Sequence, residues 1–386
     1  MSITHPAGFR AAGIAAGIKD GGRLDLALVV NDGPGTAAAA LFTTNQVQAA
    51  PVLWSRQVLA GGALRAVVLN SGGANACTGP EGFQTTHATA EKAAEVFGCG
   101  AAEIAICSTG IIGEQLPRAV VLAGVEKAAG ELASTVEAAT AAASAVLTTD
   151  THAKQTLVTD ASGWSVGGFA KGAGMLAPAM ATMLVVLTTD AVADAATCDA
   201  ALRAAVEQTF NRLDVDGGTS TNDTVLLLAS GASGVPASAE ELGAGVTAAC
   251  ADLCRQLQAD AEGATKHVTI AVSGARSEAD ALAVARTVSQ DNLVKTAFFG
   301  SDPNWGRIAM AVGRSPGEVA ADTLSITINR VPMCRDGVAA GDRHAADLSG
   351  VDILVEIELG LGDGAAELLT TDLSHAYVEE NSAYSS

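Results

Sequence analysis

An α/β layered fold, with helices covering sheet faces, is what this sequence predicts, and three observations predict it. Short apolar segments rich in Val and Leu end at Asn, Asp or Gly, as strands do. They alternate with longer segments in which Ala and Glu recur at helical spacing. Apolar residues make up 49% of the chain and aromatics only 3%, so the core has to be built from Ala, Val, Leu and Ile. At 386 residues the chain exceeds the size at which one core usually stops growing, so two lobes are expected.

Taken in order, Asp25–Asn31 and Ala66–Asn70 read as strands. Gln84–Phe97 reads as a helix stopped by Gly98, and Glu103–Cys107 as a buried strand that runs into Ser108-Thr109-Gly110. The Ala-rich stretch Pro117–Leu147 reads as one long helix or two broken near Gly130. Trp164–Ala170 and Met183–Leu187 are strands flanking a glycine-rich loop. Helix Ala195–Phe210 and strand Thr224–Leu228 follow. A long helix spans Ser238–Ala261, with Ser238 as its cap and Glu240 and Glu241 in its first turn. His267–Val272 is a strand and Ser277–Val288 a helix capped by Ser277. Asn292 to Ser386 reads as a smaller α+β lobe, with strands Thr323–Asn329 and Ile353–Leu359 around a loop Val331–Gly350.

Composition narrows the partners. The formal charge is −20, from 22 Lys plus Arg against 42 Asp plus Glu, so the chain should repel nucleic acid and anionic membrane surfaces. Seven scattered cysteines without a short framework suit a reducing compartment. Cys250 and Cys254, four apart on one helix, make a poor zinc pattern and read as small core residues. Met1–Arg10 lacks the layout of a secretory signal, and no apolar run is long enough to span a bilayer. The expected location is the cytoplasm.

The loop Lys171-Gly172-Ala173-Gly174-Met175-Leu176-Ala177-Pro178-Ala179-Met180-Ala181-Thr182 delivers a threonine to the start of an apolar strand. A threonine hydroxyl needs a base beside it to become a strong nucleophile. The six histidines fall in no recognisable motif and there is no G-x-S-x-G elbow, so that base is Lys171 or a new α-amine on Thr182 made by cutting the bond after Ala181. Three further strand-end loops, Asn70–Gly79, Asp214–Asp223 and Gly300–Arg307, are rich in small polar residues, as binding loops are. Ser108-Thr109-Gly110 forms either a simple turn or a place where a backbone N–H and the Thr109 hydroxyl meet a developing oxyanion. No glycine pattern fits a nucleotide cradle, and Asp214–Asp223 lacks the register of a calcium loop.

Together these segments resemble one family closely, the ornithine acetyltransferases, also called glutamate N-acetyltransferases, of arginine biosynthesis. The resemblance is carried by Asn70–Gly79, Cys107–Gly113, Thr148–Thr151, Lys171–Leu184, Asp216–Asp223, Asp260–Lys266, Lys295–Ala297, Asp302–Arg307 and Asp372–Ser386, in order along nearly the whole chain. It implies an αββα-like main domain of about residues 1–290 and a C-terminal lobe of 291–386. It also implies self-cleavage between Ala181 and Thr182 into an α chain of 1–181 and a β chain of 182–386, associated as a heterotetramer of two each. Thr182 would be the nucleophile, and Thr109 and Gly110 the oxyanion hole. Thr148, Lys171, Thr182, Glu262, Asn381 and Ser386 would bind substrate. The acetyl group of N2-acetyl-L-ornithine would pass through acetyl-Thr182 to L-glutamate, with no metal or cofactor; acetyl-CoA stays open as a second donor. The sequence departs from the family pattern in ending in Ser386 where many members end in Thr, and in Gly73 where Asn is more usual.

Two other readings remain on the sequence alone. One is an amidohydrolase or aminopeptidase with the same self-generated nucleophile, in which water rather than an amine resolves the acyl-enzyme. The other is a non-enzymatic small-molecule-binding or scaffold protein that has kept the fold, which predicts an uncut chain.

Overall fold

The computed structural model describes residues 2–177 and 183–383. The chain divides into two compact units, one of residues 1–211 and 218–257, the other of residues 212–217 and 258–386. The division falls earlier than the sequence reading of about 290. Strand His267–Ala275 pairs with two strands near the C-terminus, so it belongs with them.

The strands of the first unit are β1 (Phe9–Ile14), β2 (Leu26–Asn31), β3 (Ala37–Phe42), β4 (Ala66–Asn70), β5 (Ile104–Ser108), β6 (Lys154–Thr159), β7 (Ser165–Lys171), β8 (Leu184–Thr189) and β9 (Thr224–Ala229). Its helices are α1 (Ala50–Leu59), α2 (Gly79–Phe97), α3 (Arg118–Gly130), α4 (Val136–Ala145), α5 (Ala195–Gln208) and α6 (Ala239–Ala259), the last ending just past the unit's boundary. One sheet has the order β1-β2-β4-β5 and the other β3-β9-β8-β7-β6. Strands β2, β4, β8 and β9 are buried at every residue, as strands covered on both faces must be. A single hydrophobic cluster joins Leu28 and Val30 of the first sheet to Phe169, Val186 and Leu226 of the second. Helices α2, α3 and α4 pack on the first sheet and α5 on the second. The layered α/β fold class read from the sequence is therefore present, as helices, sheet, sheet and helices.

Local chemistry explains several boundaries. The Ala-rich stretch is two helices: α3 ends at Gly130 and α4 begins at the cap Thr135, whose hydroxyl accepts the Ala138 N–H. Ser238 and Glu241 cap α6 reciprocally, each side chain accepting the other's backbone N–H. Gly98 closes α2 at φ +64, a left-handed position that suits glycine.

The second unit holds β10 (His267–Ala275), β11 (Ser325–Ile328), β12 (Val331–Arg335), β13 (Val338–Ala339), β14 (Asp352–Glu358) and β15 (Gly364–Thr371) in one sheet, ordered β13-β12-β11-β14-β10-β15. Its helices are α7 (Glu278–Ser289), α8 (Asn292–Phe299), α9 (Trp305–Gly313) and α10 (His375–Ala383). The segment Val331–Gly350, expected to be a loop, contains β12 and β13, which extend the sheet as β12 pairs with β11 and β13 with β12. Among the described residues no helix is long and apolar enough to cross a membrane.

Candidate active site

Strand β7 ends at Lys171, which stands opposite Leu184 at the start of β8 in an antiparallel ladder. The chain therefore leaves the sheet at Lys171 and returns beside it. Pro178 to Thr182, including the expected cleavage point Ala181–Thr182 and the expected nucleophile, lie outside the described residues, as does Ser386.

Lys171 is 1% exposed, and its Nζ donates to Thr148 Oγ1 at 2.8 Å and to Thr109 Oγ1 at 3.3 Å. Three residues singled out separately in the sequence thus share one ammonium. Because that ammonium donates to both hydroxyl oxygens, each hydroxyl keeps its own proton to donate elsewhere.

The Lys171 charge is balanced by a residue that sequence reasoning passed over. Asp150 Oδ2 lies 3.7 Å from Lys171 Nζ, and Asp150 Oδ1 accepts from Lys154 Nζ at 2.7 Å and from the Gly172 N–H at 2.6 Å. All three side chains are 0–1% exposed. Burial alone would raise the Asp150 carboxyl; Lys171, Lys154 and the Gly172 N–H outweigh burial and hold it down at about 2. Its signal in the sequence was its place two residues after Thr148.

Thr109 and Gly110 follow β5, and the sequence left open which donors they offer. The Thr109 N–H is committed to Asn70 O at 3.0 Å, while Thr109 O accepts the Gly73 N–H at 3.1 Å. What remains is the Thr109 hydroxyl and the Gly110 N–H, which makes no hydrogen bond among the described residues. Gly110 has φ +132, and an added Cβ would lie 2.5 Å from Gly73 N, so only glycine fits. The turn is tied down further by Ser108 Oγ donating to Asn70 Oδ1 and by Asn222 Nδ2 donating to Ala74 O and Ser108 O.

Asp223 was also missed beyond its motif. It precedes β9, is 0% exposed, and its Oδ1 accepts the N–H of Met183, the residue that follows Thr182, at 3.1 Å. Its other oxygen has no hydrogen-bond partner among the described residues. Burial pushes this carboxyl well above the usual range, against the Met183 N–H and Lys171, which pull the other way. This carboxyl holds the peptide that leads out of Thr182. Its only sequence signal was an Asp directly before an apolar strand.

In the second unit, Asn381 Nδ2 donates to Glu262 Oε2 at 2.9 Å and to Tyr377 O at 3.0 Å. The pair expected to bind substrate is therefore brought together there. Burial, with Asp216 and Glu262 adding to it, pushes the Tyr377 phenol up to about 12. Cys250 and Cys254 are buried thiols on α6; burial pushes Cys254 up to about 12 and Cys250 higher. Both suit packing rather than ligation.

The sequence model of the ArgJ family matches residues 10–386. This chain belongs to the ArgJ family. Among the ArgJ proteins it resembles, the arginine biosynthesis bifunctional protein of Mycobacterium bovis is 57% identical over 391 residues, covering 100% of this chain and 97% of that one. The Streptomyces coelicolor protein of the same name is 54% identical over 386 residues, covering 100% of both. A solved structure, ornithine acetyltransferase from Mycobacterium tuberculosis complexed with ornithine, is 55% identical, covering 47% of this chain and 96% of that one with a TM-score of 0.46.

Proposed function

We propose that this ArgJ protein is an acetyltransferase of arginine biosynthesis that moves the acetyl group of N2-acetyl-L-ornithine to L-glutamate through acetyl-Thr182. Cleavage after Ala181 gives Thr182 a free α-amine, with an ordinary pKa of roughly 7.7–8.0, that takes the hydroxyl proton. The Thr182 oxygen attacks the acetyl carbonyl, and the negative charge forms on the carbonyl oxygen. Collapse breaks the C–N bond, the α-ammonium returns its proton to the leaving amine, and ornithine departs. The glutamate amine then attacks the acetyl ester by the same steps in reverse and leaves as N-acetyl-L-glutamate. Acetyl-CoA as an alternative donor would enter at the first step, which is the second activity that the bifunctional name of the relatives implies.

The observation that carries this reading is the Lys171 ammonium shared by Thr109 and Thr148 beside the Gly110 N–H, which is unengaged among the described residues. A hydroxyl polarised by a buried cation and a backbone N–H are the two donors an oxyanion needs, and such donors are worth most where water is excluded. Asp150 fixes the Lys171 ammonium, and Asp223 fixes the peptide after Thr182. In the second unit, Glu262 would engage a substrate amine, with Asn381 orienting it. Ser386 would add a hydroxyl. The cut chains would stay together as a heterotetramer of two α and two β chains, in the cytoplasm.

A denaturing gel with N-terminal sequencing should give a fragment beginning at Thr182, and Thr182→Ala should abolish both the cut and transfer. Incubation with acetylornithine should release ornithine in catalytic amounts only when glutamate is present. Sustained release without glutamate would instead make the enzyme a hydrolase.

A further inference from the structure

Glutamate carries a carboxylate where ornithine carries a side-chain ammonium, so an enzyme that takes both in turn needs a cation that only the second partner uses. We infer that Lys19 is that cation, a specificity-determining residue that receives the side-chain carboxylate of the acyl acceptor. The inference rests on the proposed transfer reaction and assigns a further residue to it.

Four geometric observations place Lys19. Its backbone is preset, because the N–H groups of Ala16, Gly17, Ile18 and Lys19 all donate to the carboxylate of Asp25, which is 0% exposed. A carboxylate wrapped by four N–H donors fixes the loop at the position from which the side chain departs. The Lys19 stem then crosses Gly72, where an added Cβ would lie 3.1 Å from Lys19 Cγ. Gly72 adjoins Gly73, whose N–H bonds the carbonyl of Thr109. Finally, Lys19 Nζ donates to Leu147 O at 2.6 Å, one residue before the Thr148 that holds Lys171. The two ammoniums are therefore anchored on consecutive residues beside the oxyanion donors.

The charge balance leaves Lys19 available. Its described partners are carbonyl oxygens, Leu147 O and Leu24 O, and it forms no ion pair among the described residues. The carboxylates that face it are already engaged, Asp25 by four N–H groups and Asp150 by Lys154 and Gly172. Arg23 and Lys171 are the other charges around it. Half-burial, then Arg23 and Lys171, bring its ammonium down to about 8, as expected of a cation short of a counter-ion. A substrate carboxylate would supply that counter-charge, whereas the ornithine ammonium would be repelled.

The test compares wild type, Lys19→Met and Lys19→Arg, all self-cleaved. Lys19→Met keeps the stem over Gly72 and every backbone donor to Asp25. KM for glutamate should rise about 10- to 100-fold, the factor that one lost charge-assisted hydrogen bond produces. Stoichiometric release of ornithine from acetylornithine without glutamate should keep its wild-type rate, and Lys19→Arg should recover most of the glutamate KM. An unchanged glutamate KM in Lys19→Met would overturn the inference, as would an equal loss for both substrates, which would assign Lys19 to the carboxylate they share. Absence of glutamate-dependent transfer in wild type itself would instead sink the transfer reaction on which the inference rests.

Discussion

Asp150→Asn is the substitution whose cost can be worked out most fully. The carboxyl faces two ammoniums whose side chains are 0% and 1% exposed, and it titrates at about 2 against an ordinary 3.8. A depressed carboxylate contributes stability above its unfolded pKa and loses it as pH falls through the folded value. That depression is worth about 2 kcal/mol at pH 7 and about 1 kcal/mol at pH 3. Removing one member of a buried ion pair costs more than titration reports, about 3–5 kcal/mol, because the remaining charges stay desolvated. Asparagine keeps the shape and removes the charge, so the expected loss at pH 7 is at least about 2 kcal/mol. Urea unfolding of wild type and variant at pH 7 and at pH 3 measures it. The gap between the two proteins should narrow by about 1 kcal/mol at the lower pH. A loss below 1 kcal/mol at pH 7, or a gap that does not change with pH, would refute the idea that Asp150 is the charge that holds Lys171 and Lys154 in place.

Three further outcomes follow from the same cluster. Thr109→Val removes a hydroxyl and little volume, so kcat should fall about 10²–10³-fold while the unfolding transition stays put; single-turnover kinetics and urea unfolding read the two separately. Gly110→Ala places a Cβ 2.5 Å from Gly73 N at φ +132, so it should cost about 2–5 kcal/mol in unfolding and also abolish transfer. Asp223→Asn should show the opposite pH trend to Asp150→Asn. A carboxyl raised by burial opposes folding increasingly as pH climbs from its unfolded pKa toward its folded one, so the variant should gain on wild type as pH rises above the usual carboxylate range, with its amide oxygen still accepting the Met183 N–H.

Much of the fold was legible because strand and helix signals were local. Ala66–Asn70 is strand β4 to the residue, and Ser277 caps α7 by accepting the Asp280 N–H. Strand β3 escaped because Ala37–Phe42 is mostly alanine, which reads as helix, and only pairing with β9 makes it a strand. Strands β12 and β13 escaped because a proline and a turn interrupt them. At the site, Thr109 was visible because a hydroxyl followed by glycine ends an apolar strand. The union of Thr109, Thr148 and Lys171 came from the family resemblance, since their spacing carries no periodicity. Asp223 was legible only as the last residue of a polar loop before an apolar strand and Lys19 not at all, since each reaches its place through contacts between residues far apart in sequence. The ladder that sets Leu184 beside Thr224 is what carries Asp223 to Met183.

The ladder between Lys171 and Leu184 has a consequence for the life of the protein after the proposed cut. Strands β7 and β8 are adjacent interior strands of one sheet, with pairing running from Lys171–Leu184 to Val166–Thr189. A break in the loop that joins them severs the chain without removing any rung of that ladder. Before the break, forming this hairpin closes a short loop within one molecule; after it, the same pairing is an encounter between two molecules. Pairing of β7 with β8 in denatured, cut protein should therefore slow on dilution, whereas in uncut Thr182→Ala that pairing should form at a rate independent of concentration. The cut would make the folded state a kinetic possession, easily kept and hard to regain once lost.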